Sequence, residues 1–342
     1  MKRIKKWLAV VLAAAFLCAS CGKANQPVKI GLIVSENTVV GKEIIEGASL
    51  LVQKWNDEEL LFGRAIELHI YDDGSDPVLA MEAYRKCMAE KVLAIIGPSH
   101  YLPSLAVMQA AAEDGIPIIT PTVTQEEPIL FGKNCFSMSL GASAYGKAAA
   151  ALMAENHSEK TAVLYDAADA QAKAAADAFL AATDSVVLAE TMEDLTKAIS
   201  KLINTEADAL FVPGNAEMVS AVADAAFNMG YQGEIFAYAQ ALHEEEKLHI
   251  LGEFSVGSAD KAFLSAFFDL YGREATVYNA LGFEAANTAL SAFYAAGEKN
   301  LKADEKHFKK LTEAFYENRF TGVLGEIAFA ENGSAEKRVV LL

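Results

Sequence analysis

VKIGLIVSENTVVGKEIIEGASLLVQKWNDEELLFGRAIELHIYD, residues 28–72, holds the pattern that decides the fold. Val28 to Val34 is a near-continuous apolar run, and such runs mark strands covered on both faces of a parallel sheet. From Gly41 to Trp55 the apolar residues Ile44, Ile45, Ala48, Leu51 and Val52 recur at helical spacing, which predicts a helix with one face against that sheet. Ala65 to Asp72 reads as a second strand. A crossover this long between strands makes a parallel βαβ unit, and its hand is right-handed.

The same rhythm continues toward the C-terminus. Pro77 opens a helix running through Ala89, since proline suits a first turn. Val92 to Gly97 and Ile116 to Pro121 are further strands, separated by a helix from Pro103 to Glu113. The series then restarts, with Thr161 to Tyr165, Ser185 to Ala189, Ala209 to Val212 and Glu234 to Ala237 as strands and alanine-rich helices between them. Two series predict two sheets and therefore two lobes, an α/β chain of two doubly wound parallel-sheet lobes. Lys133 to Ser143 lies between the series and is the expected first crossing. The alanine run from Ala167 to Ala182 reads as a surface helix with Phe179 and Leu180 facing inward, because alanine is the best helix former.

Upstream of residue 28 the reading changes. Lys2, Arg3, Lys5 and Lys6 precede an apolar run from Trp7 to Leu17, and the small residues Ala19 and Ser20 precede Cys21. The run is 11 residues, where a spanning helix needs roughly 20, so residues 1–21 read as an export signal. The small-small-Cys ending resembles a bacterial lipobox, with Cys18 where that motif usually carries Leu; this predicts lipidation at Cys21. The body of the chain is then expected outside the cytoplasmic membrane, held by lipid to its outer face or in the periplasm or outer membrane.

Composition narrows the partners. The formal net charge of −17 becomes −21 once the four positive charges ahead of Cys21 are removed. That makes nucleic acid and anionic membrane surfaces poor partners. With 53% hydrophobic and 22% charged residues, the chain suits a filled core, and about 320 residues after Cys21 exceed what one core usually supports. Only Cys87 and Cys135 remain beyond Cys21. An exported location permits a disulfide between them; the plainer reading is two buried thiols. The six histidines show no metal-ligand spacing, and GKEIIEG lacks the glycine run and the GK[ST] ending of a phosphate loop. Neither a metal nor any other cofactor is expected.

At this point the residues match a family. VKIGLIVS, EGASLLVQKWN, IELHIYDDGSDP, KVLAIIGPS, GIPIITPTVT, NCFSMSLGASAYGKAAA, KTAVLYD, EADALFVPGNAEM and GVLGEIAFAENG occur in family order across nearly the whole chain after Cys21. The chain resembles the type I periplasmic solute-binding proteins of ABC transporters, in the branched-chain amino acid, amide and urea group. The resemblance implies two lobes joined by three hinge crossings, each lobe discontinuous. Carried onto this sequence, residues 28–138 with 259–320 form the N-terminal lobe, and 139–258 with 321–342 the C-terminal lobe.

Ligands of open α/β sheets sit beyond the carboxyl ends of the strands. Helix N-termini follow several of those loops and favour anionic groups. By resemblance, Thr122 and Thr124 match a small-x-Thr run that holds a ligand carboxylate, while Tyr101 stands where the family places Ser, in the GPSHY loop beside Ser99. In the second lobe, Ala170 and Asn215 stand where aromatics are usual, and the loop of Tyr238 and Gln240 has no acid until Glu244. Without that carboxylate an α-ammonium would be buried uncompensated, so the expected ligand is not a leucine-like zwitterion. Asn215, Tyr238, Gln240 and Tyr101 are expected to read amide or hydroxyl groups, and Asp169 substitutes for the acid if its loop reaches the cleft.

An enzyme is the first rival. Ser99 and His100 are adjacent and Asp72 and Asp73 end one strand, but no G-x-S-x-G elbow appears, and no covalent chemistry is expected. The expectation is a monomeric solute-binding lipoprotein that captures a small polar organic molecule between its lobes and hands it to an ABC permease. The alternative is a ligand sensor or surface-interaction protein on the same fold.

Overall fold

In a computed structural model, residues 26–125, 127–192, 194–238, 247–297 and 299–342 are described. The signal segment and Cys21 lie outside them, as does Gln240.

The first sheet has the order β2-β1-β3-β4-β5, all parallel, from Val28–Val34 (β1), Ile66–Asp72 (β2), Ala94–Ile96 (β3), Ile118–Thr120 (β4) and Cys135–Ser137 (β5). Every β1 residue except Lys29 is buried, as its unbroken apolar run requires of a central strand. β2 is the edge, where Ile66 alone is fully buried and His69 sits 3.1 Å from Glu67. Helices Val39–Asp57 (α1), Pro77–Glu90 (α2) and Tyr101–Asp114 (α3) cross between the strands. Asp76 caps α2 by accepting from Val78 and Leu79 N–H, with Pro77 in the first turn.

The second sheet has the order β14-β10-β9-β8-β6-β7. Its strands are Thr161–Tyr165 (β6), Val186–Thr191 (β7), Ala209–Pro213 (β8), Glu234–Tyr238 (β9), Leu248–Gly252 (β10) and Val340–Leu341 (β14), which alone is antiparallel. Leu248–Gly252 is a strand that the sequence reading did not assign. Its helices are Ala142–Glu155 (α4), Ala170–Ala182 (α5), Leu195–Thr205 (α6) and Ala216–Asn228 (α7). The alanine run is more than a surface helix, because α5 lies backbone to backbone with α4. A Cβ added at Gly146 would strike the Ala175 carbonyl, while Ala172, Ala175, Ala176 and Phe179 are all buried. Alanine there permits close approach as well as helix.

Lys261–Tyr271 (α8), Val277–Ala295 (α9) and Glu305–Glu317 (α10) return to the first lobe, with a small antiparallel sheet of Phe320–Gly322 (β11), Gly325–Phe329 (β12) and Ala335–Glu336 (β13). α9 packs on α1 where Gly47 and Gly282 each face a carbonyl of the other helix. Of the segment 321–342 that the sequence reading assigns to the second lobe, Ile327, Phe329 and Ala335 pack into the first core with Phe136 and Phe315, and β14 pairs with β10. Between β13 and β14, residues 337–339 therefore pass from one lobe to the other. The other two passages are 138–141, between β5 and α4, and 253–260, between β10 and α8. Cys87 and Cys135 are free and buried. Among the described residues no helix is long and apolar enough to cross a membrane.

Candidate functional site

Four strands of the first lobe end on short polar side chains. Ser35 Oγ donates to Asp73 Oδ1 at 2.5 Å and lies 2.7 Å from Ser75 Oγ, while His100 Nδ1 lies 3.2 Å from Ser99 Oγ and 3.4 Å from Ser35 Oγ. Asp73 is wholly buried and its Oδ2 has no hydrogen-bond partner. Gly97 lets this edge close up: its φ is +96°, and a Cβ there would strike the Ile33 carbonyl. Thr122 Oγ1 donates to Ser99 O at 2.7 Å, joining the loops after β3 and β4.

The lobes meet around a cavity of about 300 Å³. Thr122, Val277, Tyr278 and Leu281 line it from the first lobe, Tyr145, Tyr238, Leu251, Gly252 and Leu342 from the second, and Ser139, Glu253 and Phe254 from the passages between them. Tyr145 and Tyr238 stack with ring centroids 3.9 Å apart and planes 18° from parallel. Burial, then the Glu253 charge, holds the Tyr145 phenol well above its ordinary range; burial with Glu253 and Asp169 pushes Tyr238 up to about 12. Tyr278 is raised by burial first, then by Glu43 and Glu253. All three therefore offer neutral hydroxyls at physiological pH.

Beneath this wall lies a cluster of ions. Glu253 Oε1 accepts from Ser139 Oγ at 3.1 Å, Leu140 N at 3.0 Å and Tyr145 OH at 3.0 Å. Its Oε2 lies 3.1 Å from Lys337 Nζ, which donates to Glu284 Oε2 at 3.0 Å, and Glu284 Oε1 accepts from Val323 N at 3.0 Å. The three ionic side chains are only 3–4% exposed. Burial opposes the Lys337 charge, but Glu284 and Glu253 outweigh it and raise its pKa.

The sequence-derived candidates divide. Thr122 and Tyr238 line the cavity. Ser99 touches Thr122 through its carbonyl but is not in the cavity wall, nor is the half-buried Thr124. Tyr101 OH donates to Glu127 Oε2 at 2.5 Å, a bond that raises its pKa. Asn215 is exposed and caps α7, its Oδ1 accepting from Met218 N at 2.9 Å. Asp169 caps α5 in the same way through Gln171 and Ala172 N–H. Tyr145, Tyr278, Glu253, Glu284 and Lys337 were not anticipated. Glu253 was findable, since it follows β10 at a strand's carboxyl end.

A wider concavity of about 890 Å³ lies on the outer face of the first lobe, between α1 and α8 and lined by Trp55, Phe263 and Asp269 among others. It has no wall from the second lobe and lies away from the strand ends.

The family model for periplasmic binding proteins matches residues 27–342. The chain belongs to this family. Its two-lobed architecture is that of the type I periplasmic binding proteins. Among relatives, it is 24% identical to the Leu/Ile/Val-binding protein BraC3 of Rhizobium johnstonii over 243 residues, 70% of this chain and 64% of that one. The match thus spans less than two thirds of that relative's length. A putative branched-chain amino acid ABC transporter protein from Rhodospirillum rubrum superposes with a TM-score of 0.81 at 20% identity, covering 92% of this chain and 96% of that one. LivJ from Streptococcus pneumoniae, solved in complex with isoleucine, gives 0.64 at 24% identity, covering 92% and 95%. These likenesses show that the binding protein shares their two-lobed fold.

Proposed function

We propose that the protein captures one small polar organic molecule, amide-like or amino-acid-like but not a leucine-like zwitterion, in the cavity between its lobes. It then delivers the molecule to an ABC permease. The observation that carries this reading is the state of Glu253. It is the one acid in the cavity wall among the described residues; its Oε1 accepts from Ser139, Leu140 and Tyr145, and its Oε2, which has no hydrogen-bond partner, is already neutralised by the Lys337 ammonium 3.1 Å away. An α-ammonium entering here finds no free carboxylate, and burying it without one is costly. The neutral hydroxyls of Tyr238 and Tyr278, with the lone pairs of Thr122, Ser139 and Tyr145 whose protons are already donated within the protein, suit amides and alcohols instead. A cavity of about 300 Å³ sits at the lower end of small-molecule sites.

In this reading the protein works outside the cytoplasmic membrane as a monomer, tethered by lipid at Cys21. Intact-mass measurement of membrane-extracted protein should show an acylated chain beginning at Cys21, and Cys21→Ser should release the protein from the membrane.

The ligand reading is tested by a thermal-shift screen of amino acids, amides, short-chain acids and nucleosides, since ligand bound only by the folded form raises the midpoint. Amides or polyols should give the largest shifts, and tight binding of leucine would overturn the reading. For whichever compound binds, Thr122→Ala should weaken affinity by about 0.5–1.5 kcal/mol, the worth of one lost hydrogen bond. Isothermal titration would measure it.

A further inference from the structure

We propose that Lys337 is a positioning residue that sets the angle between the lobes, locking the three passages together through Glu253 and Glu284. The proposal rests on the cavity lying between moving lobes, and its test needs no ligand.

The network has an unusual address. Ser139 and Leu140 belong to the first passage, Glu253 opens the second, and Lys337 opens the third. Glu284 comes from α9 of the first lobe and Tyr145 from α4 of the second. One ammonium thus ties every connection between the lobes to a helix of the first lobe, and Glu253 carries the tie to a helix of the second.

Stability alone does not account for such a cluster. Buried ion pairs commonly gain no more than apolar residues of the same shape would, because desolvation offsets their attraction; fixing one arrangement is their better-attested use. Here two carboxylates face one ammonium, and the surplus negative charge is met by directed donors from Ser139, Leu140, Tyr145 and Val323. Those donors work only at hydrogen-bond range. Rotation of one lobe against the other must stretch Lys337–Glu253 or Lys337–Glu284 in a dry interior, where a broken contact is expensive. A dry network of this kind either holds or breaks, so the lobes should populate discrete angles rather than a continuum. Tyr145 couples the lock to the cavity, since its ring walls the cavity while its hydroxyl holds Glu253.

The test is small-angle X-ray scattering on ligand-free full-length protein, comparing wild type with Lys337→Met and Lys337→Arg at a temperature where circular dichroism shows each folded. Lys337→Met should broaden the distance distribution and enlarge the radius of gyration, and Lys337→Arg, which keeps the charge, should restore the wild-type curve. A merely structural lysine would change the melting temperature and leave the scattering of the folded protein unaltered. That result would overturn the proposal. If Lys337→Met does not fold, the triple variant Glu253→Gln, Glu284→Gln, Lys337→Met, which removes all three charges and keeps the shape, carries the decision. Scattering like the wild type from that variant overturns the lock, and a broadened distribution supports it. Because no ligand is present, a failed ligand screen would count against the binding reading and leave this result standing.

Discussion

Two polar clusters of the molecule are built in opposite ways. At the strand ends of the first lobe, Asp73 Oδ1 accepts from Ser35 Oγ and Ser75 N–H, with no cation among its hydrogen-bond partners. At the passages between lobes, Glu253 and Glu284 close on Lys337. The first cluster is made of loops that follow consecutive strands of one sheet, and its bonds keep those loops in register. The second is tied by single bonds that span up to 114 residues of chain, as between Ser139 and Glu253. A cluster that spans lobes ties segments of both; one confined to a sheet edge ties only the loops of its own sheet.

That contrast is sharpest for removal of charge. Lys337→Met should destabilise the protein by about 3–5 kcal/mol, the cost of leaving a buried partner charge uncompensated, as measured by urea unfolding. Titration offers the same loss without mutation. The folded pKa of Lys337 is raised above its ordinary 10.5, so its contribution is complete below the unfolded value and disappears as pH rises through the folded one. Wild type should therefore lose stability above about pH 10.4 more steeply than Lys337→Met. Equal slopes would mean that the lysine is not held as an ammonium.

Asp73→Ala should cost less, about 1–3 kcal/mol, because it strands the neutral donors Ser35 and Ser75 rather than a charge. A loss as large as that of Lys337→Met would erase the distinction between the clusters. Lys173→Ala supplies the floor. Its partner Asp177 lies one helical turn away and both side chains are more than half exposed, so the change should fall within about 0.5 kcal/mol. Urea unfolding resolves all three on one scale.

Much of the lobe architecture was legible from periodicity. Val28–Val34 and Thr161–Tyr165 have the bounds that their apolar runs predict. Leu248–Gly252 escaped because LHILG is short and follows the charged run HEEEK, which reads as a solvated segment. The loss mattered, since the rule that ligands gather at strand carboxyl ends would have pointed to Glu253. Asn215 misled for a related reason. A polar residue after a strand reads as a ligand contact or as a helix cap, and the following helix takes its side chain.

What the chain determined by itself was therefore the alternation of strand and helix, the presence of two sheets and the polar character of the strand-end loops. Each depends on side chains a few residues apart, whose spacing is set by helix and strand geometry. What only the tertiary structure decided was the meeting of Ser139, Tyr145, Glu253, Glu284 and Lys337. No local period relates these positions. The packing of two finished lobes brings them together, and burial in that junction turns two glutamates and a lysine, ordinary surface residues in any sequence reading, into one connected network.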